Sequence, residues 1–314
     1  MSAKKPRAPR DNGHFGQNIF ITILLVIIVI QSLLLAKVYF KEPHATVRTG
    51  KLTPHVIKPK TKPLARILPQ EQIPVPPPVT TGIVKEVSPG AGKIVVIVDD
   101  SGYNPGQDCR YLNEIQVPVT ISILPELEHS GTIARCANKA NKEVMLHLPL
   151  EPHHNDEKYP ENYIINTSMS AGMVVDHFNQ DLASVPFVTG INNHMGSKAT
   201  EDIRLMSIIF SQLLKHDLFF VDSRVTSQSV CRRLALRKGL AFAERDVFLD
   251  NKNERAAIET QYQELAQKAR ERGYAVAIGH ARPLSWEILK EETEKLSREG
   301  FQFITVRELL KEKK

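Results

Sequence analysis

The stretch IVVIVDDSGY (residues 94–103) runs five β-branched apolar residues directly into two neighbouring carboxylates, Asp99 and Asp100, and then into a Ser-Gly turn. The apolar run reads as a buried strand. Burying an isolated carboxylate is costly, so such groups pair with a cation or bind a metal. Two of them at one strand end call for partners elsewhere in the chain.

Runs of the same kind recur downstream: VTISIL (119–124), EVMLHL (143–148), FVTGIN (187–192), LFFVD (218–222), LAFA (240–243), AVAIG (275–279) and FQFITV (301–306). Helical patterns lie between several of them. One begins at Thr200, with Glu201 and Asp202 in its first turn and Ile203, Met206, Phe210 and Leu213 on one face. Another covers 253–272, aligns Ile258, Tyr262, Leu265 and Ala269, and stops at Gly273. A third takes Ser285 as its N-cap and stops at Gly300.

Strand and helix alternating in this way predict α/β architecture with a parallel sheet. Over residues 93–314 the pattern fits a distorted or incomplete (β/α) barrel of about seven parallel strands. A doubly wound open sheet is the alternative. No glycine-rich phosphate fingerprint follows any strand, which argues against a nucleotide site.

Residues 19–36, IFITILLVIIVIQSLLLA, contain no charge and would span about 27 Å as a helix, close to the hydrocarbon thickness of a bilayer. Lys4, Lys5, Arg7 and Arg10 precede them, so a basic segment 1–18 is expected in the cytoplasm, followed by a signal anchor at 19–40. A cleavable signal peptide is the competing reading, but AKVYFKEP lacks a small-x-small cleavage site. Ten of the 20 prolines fall within 41–92, including PVPPPV (74–79), so this segment reads as an extended basic tether. The expectation is a single-pass inner-membrane protein whose folded domain lies in the periplasm. Up to Gly92 there are 13 Lys and Arg against 4 Asp and Glu; beyond it, 28 against 31. The basic balance belongs to the arm, and the folded part carries no sign of a nucleic-acid surface. Cys109, Cys136 and Cys231 are too scattered for a disulfide framework, although one pair could oxidise outside the cytoplasm.

Parallel strands open their C-terminal ends on one face, where such folds build their sites. Those ends carry Asp99 and Asp100; His147 and Glu151; Asn192, Asn193 and His194; Asp222, Ser223 and Arg224; Arg245 and Asp246; and His280 and Arg282. Asp with two His is a familiar zinc set with a fourth position for water, and Asp100, His147 and His194 are the natural trio. A metal there lowers the pKa of its water toward neutrality. Asp99 is placed to take the water's proton, and His280 to deliver one to a leaving group.

VDDSGY, LHLPLEP, NNHMGS, FFVDSR, RDVFLDN and AIGH, in that order, resemble the divergent polysaccharide deacetylase family, relatives of the chitooligosaccharide deacetylases. The likeness covers 93–308. It implies a distorted (β/α) barrel with a divalent metal, usually zinc, that removes acetyl groups from N-acetylated sugars. It implies Asp99 as general base, Asp100 as metal ligand and His280 as general acid. It also implies supporting roles for Arg224, orienting a carboxylate such as Asp99, and for Asp222, tuning His280. The classical enzymes draw both metal histidines from one H-x-x-x-H segment, whereas here Glu151 stands four residues after His147. Either His194 supplies the second histidine or Glu151 is itself a ligand. Asn193, Glu151 and Arg282 are candidates for holding substrate; Trp286 could stack on a sugar ring, although a lone Trp more often belongs to the packing.

The expected substrate is an N-acetylated envelope polysaccharide such as peptidoglycan. The competing function is a glycan- or partner-binding scaffold without turnover, which the missing H-x-x-x-H motivates. A two-metal phosphoesterase would need a richer carboxylate and histidine set.

Overall fold

The computed structural model describes residues 90–154 and 163–313. The expected cytoplasmic segment, membrane anchor and most of the tether (1–89) lie outside the described residues. Among the described residues no helix is long and apolar enough to cross a membrane.

Nine strands are described: β1 (Lys93–Ser101), β2 (Thr120–Ile123), β3 (Glu143–Leu150), β4 (Val188–Met195), β5 (Phe219–Asp222), β6 (Phe242–Glu244), β7 (Val247–Phe248), β8 (Tyr274–His280) and β9 (Gln302–Phe303). Every pairing among them is parallel. Eight follow the order β6-β5-β4-β3-β2-β1-β8-β7, with β9 alongside the start of β1. The helices are α1 (Pro105–Glu114), α2 (Ser130–Lys139), α3 (Ala171–Ser184), α4 (Ile203–Lys215), α5 (Cys231–Lys238), α6 (Arg255–Arg272), α7 (Pro283–Arg298) and α8 (Val306–Glu312). The sheet is curled rather than flat. Its two end strands, β6 and β7, are joined by only Arg245 and Asp246, which can span no more than about 10 Å. The edges therefore approach without pairing, leaving a seam in a distorted (β/α) barrel. The doubly wound alternative is set aside.

Side-chain alternation divides the core in two. Ile94, Val96 and Val98 of β1 pack outward against the helices, whereas Val95 and Ile97 face inward with Met145, Phe219, Val221, Val276 and Ile278. The bottom of the barrel is closed by Val306, Leu309 and Leu310 of α8. The buried Glu143 carboxylate accepts from the N–H groups of Val306 and Arg307, where a helix N-terminus favours negative charge. The inward-facing positions near the strand C-termini are polar instead.

Several boundaries differ from expectation. Helix α4 begins at Ile203 rather than Thr200, with Asp202 as its N-cap, accepting from Leu205 N–H at 2.7 Å. Helix α7 begins at Pro283, so Ser285 lies inside it. The two-residue β7 was hidden by its shortness, and the run at 301–306 contributes only β9 before α8 begins. Gly273 ends α6 in the left-handed conformation, as expected (φ 81°). Cys109 and Cys136 form a disulfide joining α1 to α2, with Cα atoms 5.7 Å apart, and Cys231 is a buried free thiol.

Gly190 sits where the ring of Phe219 crosses β4, and a Cβ added there would lie 2.2 Å from the ring. Because both residues are in packed strands, Gly190→Ala is expected to lower stability by about 1–3 kcal/mol, read as a reduced urea midpoint of the full chain. An unchanged midpoint would show that the ring has room to move.

Candidate metal centre

Residues of one parity on each strand face the barrel interior, and that parity contains Asp99, His147, Asn192, His194 and His280. Asp100 has the opposite parity. It joins them because its backbone is left-handed (φ 61°), a conformation Asp tolerates better than most residues, within a register irregularity between Val98 and Ser101. Both carboxylates then reach one imidazole: His147 Nε2 lies 3.2 Å from Asp100 Oδ1 and 3.7 Å from Asp99 Oδ2.

His194 completes the group. Its Nδ1 is 3.2 Å from His147 Nε2 and 3.2 Å from Asp100 Oδ1, and the two imidazole planes meet at 67°. Three atoms carrying lone pairs thus form a triangle with 3.2 Å sides. Ligands about 2.0–2.1 Å from a tetrahedral zinc ion would stand about 3.3–3.4 Å apart, so the donor set fits one face of such a site. All three residues form the one Asp/His cluster with metal-binding spacing among the described residues.

The Asn192 side chain organises this floor. Its amide nitrogen donates to both oxygens of Asp99, at 2.8 and 3.0 Å. Its carbonyl oxygen accepts from Ser122 Oγ at 2.5 Å and from His147 Nδ1 at 2.8 Å. A carbonyl oxygen can only accept, so His147 carries a proton on Nδ1 and turns Nε2 toward the centre, where the neutral ring offers a lone pair. The burial of Asp99 pushes its pKa above the usual carboxylate value, outweighing the nearby His147 charge. For Asp100, burial acts upward too, but hydrogen bonds from His147 and His194 win and hold it well below that value. Burial disfavours a charged His147, yet Asp99 and Asp100 carry it up to about 9.

Across β1, Asp99 is in register with His280 of β8. His280 Nδ1 lies 2.8 Å from Asp250 Oδ1, its backbone N–H donates to Asp250 Oδ2 at 2.9 Å, and Ser285 Oγ donates to the same oxygen at 2.5 Å. Asp250 is fully buried. It holds the His280 proton on Nδ1 and leaves Nε2 turned toward the centre, 3.6 Å from Asp100 Oδ2. Burial works against a charged His280, but Asp250 overcomes it and raises the pKa.

Five residues singled out from the sequence take other partners or positions in the structure. Asp222 does not tune His280: its oxygens accept from Arg224 N–H at 2.8 Å and Ser229 Oγ at 2.6 Å, and Asp250 takes the expected place. Arg224 does not orient Asp99; it is an exposed residue in left-handed backbone (φ 51°), and Arg245 is the arginine whose charge interacts with Asp99. Glu151 is not in the ligand triangle. Its carboxylate is held by Lys198 at 2.7 Å and by Thr167 N–H and Oγ at 2.7 and 2.6 Å, tying two loops together. Asn193 is likewise engaged within the protein, accepting from Ser223 N–H and donating to the Met195 carbonyl. Arg282 does lie beside His280, donating to the Asp250 carbonyl at 3.2 Å. Trp286 is fully buried, donates to Asp108 at 3.1 Å and stacks on Tyr111, so it belongs to the packing. Asn192, Ser122, Asp250 and Phe248, which meets the His280 ring edge-on at 5.2 Å, were not assigned from sequence.

Comparison with known proteins gives the same outline. Over 202 residues the chain is 31% identical to the protein YibQ of Escherichia coli K12, covering 64% of this chain and 62% of that one, so it spans less than two thirds of that relative. A Haemophilus influenzae protein is 30% identical over 211 residues, 67% of this chain and 74% of its own. A crystal structure of a protein from Agrobacterium tumefaciens C58 shares the fold with a TM-score of 0.67 at 20% identity, covering 70% of this chain and 89% of that one. The model of the divergent polysaccharide deacetylases matches residues 96–310, and the chain belongs to that family.

Proposed function

We propose that the protein is a metal-dependent hydrolase that removes acetyl groups from N-acetylated sugars of an envelope polysaccharide, peptidoglycan being the nearest such polymer. The observation that carries this is the 3.2 Å triangle of Asp100 Oδ1, His147 Nε2 and His194 Nδ1 between Asp99 and His280. The three would hold one divalent cation, zinc by the chemistry of the set, and such an ion supplies Lewis acidity toward an acetamide carbonyl and its attacking water.

The chain's own residues supply the proton movements. Asp99, kept in place by two hydrogen bonds from Asn192, accepts a proton from water as a C–O bond forms at the acetamide carbon. His280, protonated on Nε2 as well as on the Nδ1 held by Asp250, gives that second proton to the departing nitrogen as the C–N bond breaks. The products are acetate and a free amino sugar.

A position outside the cytoplasm is part of the proposal. The uncharged stretch at 19–36 behind a basic N-terminus supports a single-pass anchor in the inner membrane with the barrel in the periplasm. The disulfide between Cys109 and Cys136 supports an oxidising compartment.

The full chain is expected to bind about one zinc ion, and Asp100→Ala, His147→Ala and His194→Ala each to lose it. Metal analysis after equilibration with zinc tests this, and a parent without metal would overturn the hydrolase reading. Asp99→Asn should retain the zinc but lower acetate release about 10²–10⁴-fold. Bound zinc in a parent that binds glycan yet releases no acetate would instead indicate a scaffold.

Asp250 raises the His280 pKa, so the protonated acid persists to higher pH and the alkaline limb of the kcat/KM profile lies above the ordinary histidine value. Removing that carboxylate in Asp250→Asn is expected to move the alkaline limb to lower pH. A limb that stays in place would remove His280 from the role of acid.

A further inference from the structure

A cleft of about 540 Å³ lies between β7 and α6, lined by Arg245, Asp246, Phe248, Lys252, Gln261 and Glu264. Phe248 joins cleft and catalytic floor: one edge of its ring meets His280 at 5.2 Å, while the Arg245 guanidinium lies over its face at 4.8 Å. A chain-like ligand with one unit at His280 would place a neighbouring unit against Phe248 and in the cleft.

The charges bordering the cleft are not balanced from within. Asp246 is engaged by Arg272 at 2.8 Å and by Val276 N–H at 2.9 Å, and Glu264 by Lys268 at 2.7 Å. Arg245 and Lys252 have no carboxylate at ion-pair distance among the described residues, although the charges of Asp99 and Asp222 act on Arg245. Arg245 donates to the carbonyls of Ser223 at 2.8 Å and Arg224 at 3.1 Å, which fix its plane without neutralising it. Neither Arg245 nor exposed Lys252 forms a salt bridge among the described residues. A half-buried guanidinium that is anchored, stacked on an aromatic ring and without a carboxylate at ion-pair distance is arranged to receive one from a ligand.

We propose that this cleft is a specificity subsite for an acidic sugar: the glycan unit next to the deacetylated residue carries a carboxylate, on a uronic acid or a lactyl ether, which Arg245 and Lys252 receive while Phe248 and Gln261 meet the ring. The inference rests on the deacetylase reading and narrows its substrate to anionic N-acetylated glycans.

The test uses the zinc-loaded full chain with two oligosaccharides of equal length, a neutral N-acetylglucosamine oligomer and one in which alternate sugars carry a lactyl ether carboxylate. Binding is measured by calorimetry and acetate release in parallel. The acidic oligomer is expected to bind about tenfold more tightly at low salt, and the ratio of affinities to fall toward one in Lys252→Glu. Equal affinities in the parent, or a ratio unchanged in Lys252→Glu, would overturn the subsite. Acetate release from both oligomers alongside equal affinities would leave the hydrolase standing without the subsite. A preserved preference without acetate release would uphold the subsite and overturn turnover, and failure to bind either oligomer would overturn both.

Discussion

Everything at the top of this barrel depends on burying two adjacent carboxylates at the end of β1. Asp99 is 3% exposed and lies in a strand with no cation beside it. In a strand of regular pleat only one of two neighbours can face inward. The left-handed backbone at Asp100 removes that limit, turning the second side chain to the same imidazole that meets the first. The remaining strands then supply what the carboxylates require: hydrogen bonds from Asn192 on β4, imidazoles on β3 and β4, and on β8 a histidine held by its own buried aspartate. Asn192 is the least replaceable of these. Its two ends have opposite polarity and face opposite demands, an anion on one side and an N–H with a hydroxyl on the other. An Asp at that position would set a third anion against Asp99, and a Leu would leave His147 Nδ1 and both Asp99 oxygens without their partner.

The unpaired seam has a complementary place in the design. A closed eight-stranded barrel fills its interior with side chains, and here the lower half does so with Val95, Ile97, Val276 and Ile278 above the plug of α8. At the β6–β7 junction pairing is replaced by Arg245 and Asp246. The Arg245 guanidinium lies over the Phe248 ring, and Asp246 pairs with Arg272. The short edge strands and the charges at the junction also keep the exposed edges from recruiting further strands. The same junction leads into Phe248, whose ring meets that of His280 edge-on at 5.2 Å.

The fold was legible because each long strand is an apolar run followed by turn residues, and that signal is local. So was most of the centre: Asp100, His147 and His194 directly follow or end such runs, and the structure brings them together. What the sequence hid is pairwise and long-range. Asp250 lies 30 residues before its histidine, in a two-residue strand's wake, and although the RDVFLDN motif contains it, nothing in that motif names its partner. Asp222 looked equivalent, but strand parity separates the two cases. Val221 faces the interior, so Asp222 faces out, where it caps the following turn through Ser229 and Arg224. Parity could have told against Asp222 from sequence alone and would have favoured Asn192 over Asn193. It would have misjudged Asp100, whose left-handed backbone breaks the alternation.

The replacement of the H-x-x-x-H spacing follows the same geometry. Residue 151 lies past the end of β3, where its carbonyl accepts from the N–H groups of Lys198 and Ala199 and its side chain anchors Thr167. A ligand supplied from there would have to reach back toward the strand. His194 instead stands in register with Pro149 on the neighbouring strand, two positions beyond the Asn192 that pairs with His147. Moving the second imidazole from β3 to β4 keeps the donor near the centre while releasing residue 151 to hold the loops. It also changes what a bound cation would connect. With all three donors on separate strands, β1, β3 and β4, a shared ion would link parts of the sheet whose order would otherwise rest on backbone pairing and on Asn192. Such an ion would also take the place of the protons that these three atoms, 3.2 Å apart, otherwise share, while the His147 proton on Nδ1 stays with Asn192.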